Sequence, residues 1–391
     1  MRGRWLSSLA GLVVLAAPLV FVPAAGAVND HASFRAVCPG AVSDAARCHA
    51  DVVTDRNGNP NATIAPTGYG PAQFRGAYGL TTPAGWTTQT MGIVDAYDDP
   101  QAENDLNVYS RTYGLPACTT ANGCFKKVNQ YGGTSYPRKN QGWALEISLD
   151  IQVAHAGCPN CKILLVEATS NSYTNLLAAV DYATTHANVV SNSWGSNEFS
   201  SETTATYDGH FNRPGVPITV SAGDNGYGVE YPAASRYVTA VGGTTLNLNA
   251  DNTRASETVW KGTGSGCSAY ESKPSWQTDS GCTRRTVVDV SADADPNTGA
   301  SVYDSAGYFG QVGWFQVGGT SLSSPLIASV YALAGNASST AYGSYPYANT
   351  ANLFDVTSGS NGSCSPAYLC AAGAGYDGPT GLGTPNGTGG F

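Results

Sequence analysis

Charge is scarce in this chain. Only 12% of its 391 residues are Asp, Glu, Lys or Arg, about half the fraction usual for a globular protein. Nineteen Lys and Arg stand against 28 acidic residues, a formal net charge of −9. With no basic stripe to neutralise phosphates, nucleic acid is excluded as a partner. Few carboxylates and few bases also mean little self-repulsion in acid, which suits an acidic medium; an ordinary secreted protein rich in Ser, Thr and Gly fits the composition equally well. Histidine is scarcer still, at five residues: His31, His49, His155, His186 and His210. None precedes a glycine, and His31 and His49 fall in a segment expected to be removed. Beyond the first 27 residues no apolar run is long enough to span a bilayer as a helix.

The N-terminus supplies a different signal. In MRGRWLSSLAGLVVLAAPLVFVPAAGA, Arg2 and Arg4 precede an apolar stretch ending in Ala25-Gly26-Ala27. This is the pattern of a secretory signal peptide cleaved after Ala27, so the chain is expected to be secreted, with no stable membrane association afterwards. Ten cysteines in an exported chain predict five bridges, and their spacing suggests clips between neighbours. The pairs would be Cys38 with Cys48, Cys118 with Cys124, Cys158 with Cys161, Cys267 with Cys282, and Cys364 with Cys370. A CxxC metal reading of Cys158 and Cys161 lacks a second pair to complete it.

Short β-branched runs recur along the remainder and end in Gly, Asp or Ser: TMGIVDA, CKILLVEA, NVVSNSWG, VPITVSAGDNG and YVTAVGG. Helix-like segments such as TNLLAAVDYATTH lie between several of them. Buried strands alternating with helices predict an α/β fold, three layers with a mainly parallel sheet covered on both faces. In such sheets a site forms beyond the carboxyl ends of the strands, which places Asp95, Ser193 to Gly195 and Asp224 at one edge.

Two segments carry chemistry. GWALEISLDIQVAHAGC is apolar nearly all round, as a buried helix is, yet Glu146 and Asp150 stand four apart on one face with no Lys or Arg among their helical neighbours. Two like charges at that spacing oppose a helix, and burying either unpaired costs far more, so the pair is read as sharing a proton, one acting as base and the other orienting it. GGTSLSSP, with Ser321, has the form of a subtilisin-type nucleophile segment that needs a base, and Glu146 supplies one. In SAGDNG, Asp224 follows a strand; protonated, it could donate a hydrogen bond to a developing oxyanion, although a turn role is equally open on the residues alone. Asp293 and Asp295, in DVSADADPNTG, are left outside the site.

Five motifs in order, GYGPAQFRGAYGL, GWALEISLDIQVAHA, SNSWG, SAGDNG and GGTSLSSP, resemble those of the sedolisin family of serine-carboxyl peptidases. The resemblance covers residues 67–391 and implies a subtilisin-like fold. It further implies that Ser321 is the nucleophile, Glu146 the base and later acid, Asp150 its orienting partner and Asp224 the oxyanion donor. Asp95 would extend the carboxylate chain, and Ser193, Trp194 and Gly195 would line the substrate. One structural Ca2+ is implied near the C-terminus, held by Asp355, the Val356 carbonyl, Gly373, Gly375 and Asp377. Apart from that resemblance, Asp355 and Asp377 read as turn residues among glycines.

The expected organisation is thus a signal peptide at 1–27, a short pro-segment or N-terminal extension at 28–66, and a peptidase domain at 67–391. Sedolisins usually carry a long folded prodomain, so 28–66 is a departure from the family. The expected activity is that of a monomeric, acid-acting endopeptidase on protein or peptide substrates, through an acyl-enzyme. A tripeptidyl-type exopeptidase and a catalytically inactive binding domain remain alternatives.

Overall fold

The computed structural model describes Met1, Gly3 and residues 33–38, 40, 44–82, 85 and 87–391. Apart from Met1 and Gly3, the expected signal peptide lies outside the described residues, as does His31. The N-terminal part contributes β1 (Ser33–Ala36), β2 (Arg47–Cys48), β3 (Asp51–Thr54) and a short helix α1 (Pro71–Ala77). Strand and helix then alternate: β4 (Thr90–Ala96), α2 (Ala102–Tyr113), β5 (Phe125–Asn129), α3 (Gln141–Gly157), β6 (Lys162–Ala168), α4 (Tyr173–His186) and β7 (Val189–Asn192). After these come β8 (Trp194–Asn197), β9 (Ile218–Ser221), β10 (Glu230–Tyr231), β11 (Thr239–Leu248), β12 (Arg254–Val259), β13 (Gly266–Ser272), β14 (Arg284–Val287) and β15 (Val290–Asp293). A hairpin of β16 (Ala300–Tyr308) and β17 (Gln311–Gly318) leads into α5 (Thr320–Ala334).

The central sheet has the order β12-β11-β9-β7-β4-β6-β5, with β15 also on β11. All its pairings are parallel except β11 with β12. Strand alternation sorts the two faces. A Cβ at Gly92 of β4 would meet Ala183 and Ala187 around α4, whereas Asp95, three residues on, meets Glu146 and Asp150 of α3. Helices therefore cover both faces, as expected for a parallel sheet with apolar strands. α3 starts at Asn140, whose side chain accepts hydrogen bonds from the N–H groups of Gly142 and Trp143, an N-cap that satisfies two otherwise orphaned donors. Every residue from Gly142 to Gly157 is buried. A small residue at 157 is required by neighbouring α5, since a Cβ there would fall 1.9 Å from Ser329 Oγ.

Two details differ from the sequence reading. β11 does not end at Gly243 but runs on to Leu248, because it takes β9 and β15 on its first half and β12 on its second. Pro325 sits in the second turn of α5 rather than the first. The N–H it lacks would have gone to the Ser321 carbonyl, and that carbonyl instead accepts from the Ser193 hydroxyl at 3.4 Å.

The five disulfides link the sequence neighbours expected, and no cysteine is free. The segment before residue 67 is not detached from the body. β3 pairs antiparallel with β17, and β1 pairs outside β3. Among the described residues no helix is long and apolar enough to cross a membrane.

Candidate active site

Ser321 is the second residue of α5 and is fully buried. Gly319 before it adopts φ 93°, a left-handed value suited to glycine. A Cβ on Gly319 would also lie 2.2 Å from the carbonyl oxygen of His49. The Ser321 hydroxyl donates to the Ser193 carbonyl at 3.2 Å.

Across the cleft lie three buried carboxyl groups: Glu146 and Asp150 one turn apart on α3, and Asp95 near the end of β4. One oxygen of each lies within 4.8 Å of one oxygen of the other two. None of their oxygens has a hydrogen-bond partner of good geometry. Burial pushes Glu146 well above the usual carboxylate range, and the charges of Asp150 and Asp95 push it further; Asp150 is raised by burial and then by Asp95. Burial lifts Asp95 to about 8. The Ser321 hydroxyl beside Glu146 and the Ser193 hydroxyl beside Asp150 pull the other way, although neither contact reaches hydrogen-bond geometry with the chain at rest. Three buried, mutually repelling carboxyls resist ionising together and so share protons, and Glu146 can accept the proton of a neighbouring hydroxyl only in the state in which it is itself ionised.

Asp224 follows β9 and presents its two oxygens differently. Oδ1 accepts from the Thr320 N–H at 2.8 Å and the Thr320 hydroxyl at 2.7 Å. Oδ2 is buried and unpartnered. Burial raises this carboxyl well above its ordinary range, and Asp51 adds to the rise. A neutral Asp224 has an O–H to donate, through the oxygen that Thr320 leaves free.

Ser193 meets the nucleophile through its backbone, its carbonyl accepting from the Ser321 hydroxyl and the His49 N–H. The Trp194 ring is buried, with Nε1–H donating to the Val94 carbonyl at 2.9 Å, so its side chain serves the core. The edge of β8 pairs with Arg47 and Cys48 of the chain's own N-terminal segment.

The sequence reading passed over three residues found here. His49, set aside as part of a removable segment, lies buried in the cleft. Its ring nitrogens sit 2.7 Å from Ser221 Oγ and 2.8 Å from Glu230 Oε2. It is not a base for Ser321, since both nitrogens are engaged elsewhere. Glu230, in GVEYPAAS, gave no local signal, as a lone acid at a strand edge is ordinarily solvated.

The C-terminal acids are also brought together. Asp377 is buried, with Oδ1 accepting from the Thr380 N–H and hydroxyl and Oδ2 from the Gly373 N–H at 3.1 Å. Asp355 is exposed and its Oδ2 accepts from the Gly375 N–H at 2.8 Å. Burial raises Asp377 to about 6, and Asp355 contributes to that rise. Two carboxyls thus bracket the 373–375 glycine loop, each accepting from one of its N–H groups. Asp293 and Asp295 are engaged in their own loop, with Thr298 donating to Asp293 and Thr245 to Asp295.

Comparison with known proteins bears on the family and the fold. The model of the Subtilase family matches residues 86–349. The chain belongs to the subtilase family. Within it the similarity is to sedolisins. Sedolisin of Pseudomonas sp. (strain 101) is 30% identical over 360 residues, covering 81% of this chain and 60% of that protein. Kumamolisin of Bacillus sp. (strain MN-32) is 31% identical, covering 83% of this chain and 63% of its own length. The chain therefore spans less than two thirds of these relatives. The solved structure of Pseudomonas sedolisin, a serine-carboxyl proteinase complexed with two molecules of pseudo-iodotyrostatin, superposes with a TM-score of 0.68 at 29% identity, over 82% of this chain and 96% of that one. Sphericase, at 16% identity and TM-score 0.52, shares the fold alone.

Proposed function

We propose that this subtilase is a secreted, acid-acting serine-carboxyl endopeptidase that cuts protein or peptide chains through an acyl-enzyme. The observation that carries this reading is the meeting of Ser321 with a buried cluster of carboxyls. The charges that act on Glu146 most are those of Asp150, Asp95 and Asp224, all acids. In the proposed reaction Ser321 Oγ adds to the scissile carbonyl as its proton passes to Glu146, while Asp150 and Asp95 share the protons that orient Glu146. The oxyanion receives hydrogen bonds from the Ser321 N–H and a protonated Asp224. Glu146 then returns the proton to the leaving amine, and water hydrolyses the ester.

Main chain that runs past Ser321 on both sides, paired with β8 at Arg47 and Cys48 and with β17 at Asp51 and Val52, supports an endopeptidase over a tripeptidyl-type exopeptidase. The presence of all four reacting groups argues against an inactive binding domain. Five disulfides support export, as does the leader at 1–27. In this proposal 28–66 is a pro-segment or extension ahead of a monomeric catalytic domain, 67–391. Asp355, Asp377 and the carbonyls of Val356, Gly373 and Gly375 would hold a structural Ca2+ that pins the C-terminal loop.

The test is hydrolysis of a denatured protein across pH. Activity should peak in acid and fall by several orders of magnitude in Ser321→Ala and in Glu146→Gln, because these groups act as a unit. An optimum near pH 8, or full activity in Glu146→Gln, would refute the carboxylate mechanism.

A further inference from the structure

One oxygen of Asp95 lies within 4.8 Å of an oxygen of Glu146 and of Asp150, yet no hydrogen bond holds either of its own oxygens. Its place in the cluster is therefore set by the backbone on which it stands. β4 pairs with β6 as far as Ala96, opposite Ala168. The chain then leaves the sheet through Tyr97, which is buried and adopts φ 65°. A left-handed value is an outlier for so bulky a residue, and strain of this kind persists only where the surroundings over-determine it. Left to itself the turn would relax and carry the end of β4 with it.

The restraints come from neighbouring elements. Tyr97 donates its N–H to the Ala168 carbonyl at 2.8 Å and its hydroxyl to Asn171 Oδ1 at 2.9 Å. Its ring lies 6.3 Å from that of Trp143, in the turn before Glu146 on α3. The next two residues are gathered by one cation. Lys127 of β5, two strands from β4 in the sheet, donates to Asp98 Oδ1 at 2.5 Å and to the Asp99 carbonyl at 2.8 Å, and its Nζ lies 3.4 Å from Glu167 Oε1 on β6. That Glu167 oxygen also accepts the Asp99 N–H at 3.0 Å, while Asp99 Oδ2 accepts from the Ser148 hydroxyl of α3 at 3.3 Å. The turn after Asp95 is thus tied to the helix that carries Glu146 and Asp150. The Tyr136 ring covers the ammonium at 4.2 Å. Burial works against the charge of Lys127, but Glu167, Asp98 and Asp99 outweigh burial and raise it, so the ammonium keeps its proton throughout the acid range.

From this arrangement we infer that Lys127 is a positioning residue for peptide hydrolysis: by gripping Asp98 and Asp99 it keeps the strained turn at Tyr97 closed, and so holds Asp95 against Glu146 and Asp150. The inference rests on the peptidase reading above. The partners of Lys127 include none of the reacting groups, so its effect on the reaction passes through Asp95. A displacement of about 1 Å in a group that shares the proton of the base can cost as much as about a hundredfold in rate. An ion pair that served stability alone would, by contrast, lower the thermal midpoint when broken and leave the turnover of the folded enzyme as it was.

The experiment measures kcat and KM on a short peptide across acid pH for wild type, Lys127→Met, Asp95→Ala and the double variant, all expressed as the full chain. Asp98→Asn breaks the same grip more mildly and replaces Lys127→Met if that variant does not fold. Lys127→Met should lower kcat about tenfold with KM within about twofold, and the acid limb of its kcat/KM profile should move towards that of Asp95→Ala. In the Asp95→Ala background the same substitution should change kcat by less than about twofold, because the group it positions is gone. Equal losses in the two backgrounds, a loss carried by KM, or an unchanged kcat in Lys127→Met would each overturn this inference and leave the peptidase reading intact. Wild type inactive in acid, or Glu146→Gln as active as wild type, would overturn that reading and this inference with it.

Discussion

Asp224 shows how one residue's environment sets its chemistry. On the sequence it is an aspartate in a Gly-rich turn, and ionised it would repel an oxyanion. In the fold its Oδ1 is used by Thr320 while Oδ2 is buried and free, and burial, with Asp51, favours its protonated form. Asp224→Asn preserves a donor, so it should retain more kcat/KM in acid than Asp224→Ala, whose loss should be on the order of a hundredfold or more. The asparagine variant should also keep its activity to higher pH, since its donor does not ionise. An alanine variant as active as wild type would return Asp224 to a turn role. Ser321, Glu146 and Asp150 were legible because the nucleophile segment is local and the two acids lie one helical turn apart. His49, Ser221 and Glu230 were not, since His49 lies 172 residues from Ser221 and 181 from Glu230.

At the scale of elements, α3 was legible in full because a helix buried all round announces itself by lacking a polar face. The C-terminal loop was legible only through resemblance. Its two acids meet only when 353–356 and 373–377 are folded against each other. With Ca2+ bound there, removal by a chelator at about pH 6 should lower the thermal midpoint of the Ser321→Ala protein, and Asp377→Ala should lower it similarly and abolish the chelator effect. An unchanged midpoint, with no calcium by elemental analysis, would remove the ion from the proposal. The Ser321→Ala background prevents self-digestion from obscuring the result.

At the scale of the whole molecule, buried acids tie stability to pH. Asp95 and Asp99 are buried and raised to about 8, in each case by burial first; for Asp99 the Gln101 N–H pulls against it. An acid whose folded pKa exceeds its unfolded value of about 4 binds its proton more tightly in the native state. Its contribution to stability is therefore full in acid and is lost as pH rises from about 4 through 8. Glu230, which burial alone would raise but His49 and Arg47 hold at about 2, acts in reverse, supporting the fold above about pH 4 and failing towards 2. Calorimetry of the Ser321→Ala protein should show a midpoint highest near pH 4 to 5 and lower by about 5 °C or more at pH 8. A midpoint that climbs from pH 4 to 8 would contradict this account.

The sequence by itself determined the alternation of strands and helices, the neighbour pairing of the ten cysteines and the Glu146–Asp150 pair. Each rests on short-range physics: side-chain period, closure of a small loop, the pitch of one helix. Only the tertiary structure decided that Asp95 joins those acids, that Asp224 keeps one oxygen free, and that His49 lies against Ser321 with Glu230 at its ring. Those meetings depend on the order of strands in the sheet and on an N-terminal strand finding β8 and β17. No local pattern encodes them, because the partners share no turn, helix or hairpin until the chain has closed.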